Sequence, residues 1–201
     1  MMTENYPLPN PLFPATLAGQ SITIRPMKFS SDIPTLFPLT NGSPIITESI
    51  KIEAYDPDQT IWKFMFWTKF NSVEDMVQFY KSNLNLGYFF TIFDNQNNSP
   101  IGSIGYGNIF PEHLSLEIIR VWISPVAQGA GKCTEAVKLM VEHAFQMGYR
   151  SIYWRTTSLN EKSRKLAERA GFKLEIVASE HFIKVGISYD VVFYSQSRVN
   201  N

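Results

Sequence analysis

The chain has 201 residues, enough for one domain with a substantial core. Lys plus Arg equal Asp plus Glu at 18 each, and no basic block marks nucleic acid or an anionic membrane as a partner. A single cysteine, Cys133, excludes an internal disulfide; with no long apolar run and no apolar signal core after Met1, it points to the cytoplasm.

Residues 1–19 carry Pro7, Pro9, Pro11 and Pro14 and are expected to form an extended arm without regular structure, ahead of one domain over 20–196. Ser21 to Arg25 alternates and reads as a first strand. Ser31-Asp32 is placed to start a short helix through Leu36 and Leu39, broken near Pro38. Residues 41–60 are turn-rich, with Asn41-Gly42, Ser43-Pro44 and Asp56-Pro57-Asp58. The aromatic stretch Trp62, Phe64, Phe66, Trp67 and Phe70 follows, and Ser72-Val73-Glu74-Asp75 is a capping start for a helix through Met76, Phe79 and Tyr80. Tyr88–Phe93 and Ile101–Ile109 read as strands joined by a polar tip at Asp94–Asn98. Leu114–Ser124 is the central strand, and a long helix is expected from Gly131 to Met147 on the stripe Cys133, Ala136, Val137, Met140, Ala144 and Met147, stopping at Gly148. Ser151–Thr156 is a strand, Asn160–Ala170 a helix closed by Gly171, and Phe172–Val177 and Tyr189–Ser195 the last strands.

The turn Gln128-Gly129-Ala130-Gly131-Lys132 joins the central strand to the long helix. The first amides of a helix have no intrahelical acceptor and lie at the positive end of its dipole, and glycines let a phosphate approach them. Lys132 adds a positive charge. A P-loop needs Gly-x-x-x-x-Gly-Lys-Ser/Thr, but Val126 replaces its first glycine and Cys133 its hydroxyl residue. A dinucleotide fingerprint fails at Thr134, where its third glycine belongs. The pattern Gln/Arg-x-x-Gly-x-Gly/Ala is met by Gln128 and Gly131, with Cys133 as the small last residue; an ordinary strand–turn–helix is the remaining alternative.

This pattern is the pyrophosphate loop of GNAT-superfamily acyltransferases. Glu135-Ala136, Glu142-His143-Ala144-Phe145, Gly148-Tyr149, Asn160-Glu161-Lys162-Ser163 and Ala167 to Phe172 follow in order. Together with Leu116-Glu117-Ile118 upstream and Lys184-x-Gly186 and Asp190 downstream, they resemble the RimJ/RimL-type branch of that superfamily, well over residues 85–195 and loosely over 8–84. The resemblance implies a mixed α/β GNAT fold, a central mixed sheet of about seven strands flanked by helices. It also implies an acetyl-CoA-dependent N-acetyltransferase acting on a small-molecule amine or a peptide N-terminus, with no metal; a homodimer is compatible with it.

It further implies that Gln128, Gly129, Ala130, Gly131, Lys132, Cys133 and Thr134 hold the pyrophosphate. Backbone groups of Val121, Trp122 and Ile123 would pair with the pantetheine arm, and Asn160 would reach the acetyl region. Many relatives place a tyrosine proton donor where Ala167 stands, so the Ser163 hydroxyl is the candidate donor to the departing thiolate. Ser163 is also the third residue of a helical turn, and Asn160 its N-cap. Glu117, a carboxylate in an apolar strand, is either the general base or an ion-pair partner at the sheet surface. With simple alternation it shares a face with Ile119, Val121 and Ile123. Cys133 reads as a packing residue and His143 as a surface one; Asp190 is read as structural, since Tyr189 replaces a family arginine. Tyr55 and the aromatics from Trp62 to Phe70 form either core or a mouth able to hold an ammonium. The missing tyrosine leaves a non-catalytic acyl-CoA-binding or protein-interaction member of the fold as the alternative, with a P-loop-like nucleotide binder behind it.

Overall fold

The computed structural model describes residues 7–10, 15–47 and 50–198. Pro11 and Pro14 lie outside the described residues. Pro9 sits against Gly148, and the Asn10 amide donates to the Met147 carbonyl at 2.7 Å, which ties the arm to the end of the long helix.

The strands are β1 (Leu17–Ala18), β2 (Ile22–Pro26), β3 (Ile45–Ile46), β4 (Lys51–Ile52), β5 (Gly87–Asp94), β6 (Ser99–Phe110), β7 (Ser115–Ile123), β8 (Ser151–Thr157), β9 (Lys173–Lys184) and β10 (Ile187–Ser197). The α-helices are α1 (Asp32–Leu36), α2 (Pro57–Thr60), α3 (Val73–Ser82), α4 (Lys132–Gln146) and α5 (Glu161–Ala170). Eight strands form one sheet in the order β1-β2-β5-β6-β7-β8-β10-β9, and β3–β4 is a separate hairpin. Neighbours are antiparallel except the central pair β7 and β8. The sheet is mixed, as expected, but has eight strands rather than about seven. The extra one is β1: after Gly19 the chain doubles back, and Leu17 and Ala18 pair with Ile24 and Thr23, so the arm's end is not irregular. Among the described residues no helix is long and apolar enough to cross a membrane.

Local chemistry sets the helix ends. The Ser72 hydroxyl accepts from the Asp75 amide at 3.0 Å to start α3, and the Asn160 carbonyl oxygen accepts from the Ser163 amide at 3.2 Å to start α5. Gly148 and Gly171 follow α4 and α5 with φ near 100°, the left-handed form that ends a helix. At α1, Ser31 makes no cap; its hydroxyl donates to the buried Asp32 carboxylate, which also accepts from the Lys28 amide and the Thr91 hydroxyl. In the turn-rich stretch Asp56 caps α2, accepting from the Asp58 amide at 2.8 Å.

Alternation along the strands sends apolar side chains to both sheet faces. One core joins Ile24, Phe90, Ile104 and Ile118 to Val137, Met140 and Leu166 of α4 and α5. The other joins Phe89 and Trp122 to Ile33, Leu36, Met76 and Tyr80 of α1 and α3. His143, read as a surface residue, is half-buried instead, its Nδ1 3.0 Å from the Tyr106 hydroxyl, and burial lowers its pKa.

The strand that matters most is bent. Ser103 of β6 faces Trp122, but Gly105 faces Ile119, so β7 carries an extra residue there, and Arg120 has φ 56°. This is a β-bulge. It shifts the alternation: Trp122 joins Ile119 on the α3 side, while Val121 and Ile123 pack toward α4. The expected shared face of Glu117, Val121 and Ile123 is therefore overturned. A buried relay pins the bulge. The Trp122 indole donates to the Tyr80 hydroxyl (3.2 Å), which lies 2.8 Å from the Ser103 hydroxyl, which donates to the Arg120 carbonyl (2.9 Å).

Candidate active site

β7 and β8 pair only at Ser115–Ser151, Leu116–Ile152 and Glu117–Tyr153. Beyond Glu117 they splay, and the β8-facing edge of β7 from Ile118 to Ile123 has no strand partner. The wedge between them opens a cleft of about 1910 Å³. Pockets for drug-sized ligands span about 300–1,000 Å³, so this one has room for a long ligand and a second molecule.

At one end of the cleft lies the turn before α4. Gly129 and Gly131 have φ 81° and 77°, and a Cβ added at either would meet nothing within 4 Å. Gly131 is the N-cap of α4 and supplies no side chain to its first turn. Among the described residues, no acceptor is given to the amides of Gly129, Ala130, Gly131, Lys132, Cys133 or Thr134. Six successive donors at the positive end of a fifteen-residue helix, beside open space, form an anion cradle.

The Lys132 ammonium does not take part. It ion-pairs with the Asp94 carboxylate, with side chains only 13% and 12% exposed. Burial alone would raise the pKa of Asp94, but the Lys132 hydrogen bond, the Gln96 amide and the Lys132 charge outweigh it and leave the carboxyl below its ordinary value. This corrects the expected positive charge at the turn and removes the P-loop alternative, whose lysine must reach the phosphates. The turn's cation is Lys162, which donates to the Gln128 amide oxygen at 3.3 Å, while the Gln128 nitrogen donates to the Ile123 carbonyl. Burial pushes the Cys133 thiol up to about 12, which suits a packing residue and not a nucleophile.

At the middle of the cleft are Ser163, Asn160 and Trp154. The Trp154 indole donates to the Ser163 hydroxyl oxygen at 3.1 Å, so the hydroxyl proton is free to point elsewhere. Asn160 uses its carbonyl oxygen as the helix cap, and its amide nitrogen has no partner among the described residues. Ala167, on the core-facing side of α5, is fully buried and does not line the cleft.

At the far end, Glu117 is 8% exposed. Its Oε1 lies 3.3 Å from the Arg155 Nε, and its Oε2 accepts from the Asn108 side chain at 2.6 Å. Glu117 is thus ion-paired, though buried rather than at the sheet surface, and it lines the cleft. The aromatic stretch divides. Trp62 is buried core, with Tyr55 and Phe70 packed against that core, whereas Phe64, Phe66 and Trp67 line the cleft. Asn108, Trp154, Arg155, Lys162 and the charge of Arg120 were not singled out from sequence. Arg155 and Glu117 belong to neighbouring strands of one sheet, which only the register reveals.

The chain belongs to the GNAT acetyltransferase family: the model of the acetyltransferase (GNAT) domain matches residues 21–173. A probable GNAT-family acetyltransferase from Chromobacterium violaceum is similar in structure, with a TM-score of 0.84 at 20% identity over 98% of this chain and 93% of that one. The acetyltransferase of Salmonella typhimurium that modifies the N-terminal serine of ribosomal protein L7/L12 has a TM-score of 0.76 at 17% identity, over 92% of this chain and 100% of that one. The spermidine N-acetyltransferase of Vibrio cholerae, in complex with CoA and spermine, has a TM-score of 0.69 at 22% identity, over 88% and 95% of the two chains. A search of curated protein sequences finds no match.

Proposed function

We propose that this acetyltransferase moves acetyl from acetyl-CoA to a primary amine by direct attack, with both substrates held side by side in the cleft. The observation that carries this reading is the run of unpaired amides from Gly129 to Thr134 at the mouth of the splayed strands. These amides, with Lys162 and Gln128, would hold the diphosphate, and the free edge of β7 would hold the pantetheine arm near Val121, Trp122 and Ile123. When bound, the coenzyme supplies the activated acetyl group.

The rest is chemistry of this chain's residues. Ser163 presents a hydroxyl proton toward the cleft because Trp154 occupies its oxygen, and it serves as donor to the departing thiolate. Glu117, fixed by Asn108 and Arg155, accepts the amine proton directly or through water. Holding the two reactants together supplies much of the rate without a covalent enzyme intermediate. A cytoplasmic location is part of the reading and rests on the single cysteine, which allows no internal disulfide.

Two measurements test this. Calorimetric titration with acetyl-CoA should show saturable binding, and a CoA-release assay over a panel of amines should show turnover. Binding without turnover on any amine would convert the protein to the non-catalytic acyl-CoA binder. Absence of binding would end the reading.

A further inference from the structure

The acceptor end of the cleft is electropositive, and its aromatic rings already carry protein cations. The Arg120 guanidinium lies 4.6 Å from the Trp67 ring centroid and 4.7 Å from that of Phe79. The Arg155 guanidinium lies 5.5 Å from the Phe66 ring, and the Lys63 ammonium 5.4 Å from the Phe64 ring. Each of the three aromatics that line this end therefore has a cationic partner of its own, and a mouth that cages a substrate ammonium by cation–π contact is not what these residues build.

Charge and hydrogen bonding point the same way. Lys63, Arg120 and Arg155 line this end against one carboxylate, Glu117. Arg155 spends its Nε on Glu117, and its two terminal nitrogens have no acceptor among the described residues. Arg120 donates to the Asn83 side chain at 2.9 Å, yet its Nε is buried without a partner, and so is the Trp67 indole nitrogen that it overlies. Neither atom has exposed surface, so what Arg120 offers a ligand in the cleft is its charge. Burial lowers the Arg120 pKa, which marks a cation that gains from an anionic neighbour.

We infer that the acceptor is an amine that also carries an oxyanion, a carboxylate or a phosphate, seated on the terminal nitrogens of Arg155 with the Arg120 charge beside them. The inference rests on the acetyl-transfer reading and names its substrate class. Planar guanidinium groups match such oxyanions in geometry as well as charge. The same excess positive charge favours the neutral form of the bound amine, which is the form that attacks. Polyamines, with several positive charges and no anion, are poor occupants of this end.

Matched amines test the inference. Phenylalanine differs from phenethylamine by its carboxylate, and O-phosphoethanolamine from ethanolamine by its phosphate. With the wild-type enzyme and acetyl-CoA, kcat/KM should favour at least one anionic member, and Arg155→Met should lower that preference by about ten- to hundredfold. A merely structural role for Arg155 would depress both members of a pair and leave their ratio unchanged. Arg155→Lys should restore part of the ratio, and acetyl-CoA affinity should be the same in all three proteins. The arm that responds identifies carboxylate or phosphate. A ratio unmoved by Arg155→Met, or acetyl-CoA binding with neither anionic amine consumed, overturns the inference alone. Failure to bind acetyl-CoA overturns the acetyl-transfer reading beneath it.

Discussion

Replacing both turn glycines with valine separates backbone strain from crowding. A Cβ added at Gly129 or Gly131 meets nothing within 4 Å, so the first atom of a side chain brings no clash to the free protein. Both residues have positive φ, and an L-residue there costs about 1–2 kcal/mol, more for a β-branched one. The valine pair therefore costs at least about 2–4 kcal/mol. If the turn keeps its shape, the cost appears in stability, as a Tm lower by roughly 4–16 °C for a chain of this size. If the turn relaxes, its amides leave the cradle, and acetyl-CoA affinity falls by about 30- to 700-fold. Asparagine tolerates left-handed backbone better than valine. The double asparagine variant should therefore lose less Tm than the valine pair, yet still bind acetyl-CoA weakly, because its side chains enter the space the diphosphate needs. Thermal unfolding and calorimetry on the three proteins give both quantities. If the valine pair keeps both Tm and affinity, or the asparagine pair loses as much Tm as a destabilised valine pair, the backbone argument is wrong.

Ser163→Ala should lower kcat by about tenfold or more while acetyl-CoA affinity stays within about twofold, because the hydroxyl is assigned to the leaving thiolate; an unchanged kcat in steady-state assays removes Ser163 from the mechanism. Tyr80→Phe removes the middle of the relay that pins the bulge and leaves the Trp122 indole without its acceptor, so unfolding by urea should show a loss of about 1–3 kcal/mol, and a neutral effect would show that the relay is dispensable. Asp94 has a lowered folded-state pKa, so its contribution to stability is present above the unfolded value of about 3.8 and is lost as pH falls below that. Lys132→Met should flatten the acid limb of stability against pH, and an acid limb identical to wild type would assign it to other groups.

How much of this was legible in the sequence depends on whether the cause was local. The turn before α4 was readable because its causes lie within a few residues: two glycines, a helix start and an apolar strand behind it. The capping of α3 by Ser72 and of α5 by Asn160 was readable for the same reason. The final strand pair was readable only in part: Phe172–Val177 and Tyr189–Ser195 were expected as strands, but β9 runs on to Lys184 and β10 begins at Ile187. Residues 178–184 of β9 are largely exposed on both faces, so no apolar period marks them, and only pairing with β10 makes them a strand.

The active-site errors share a non-local cause. Lys132 was placed on the anion because it adjoins Gly131, but its partner Asp94 is 38 residues away on β5. The face shared by Glu117, Val121 and Ile123 followed from strict alternation, which one extra residue at Arg120 reverses. That bulge is held by Tyr80 and Ser103, far away in the chain, yet it decides the chemistry of the acceptor end. It turns Arg120 onto Trp67 and Phe79, and the splay of β7 from β8 leaves Arg155 facing Glu117 across the gap. Fold and turn are thus written in short motifs, while the placing of Arg120, Arg155 and Glu117 is written in register.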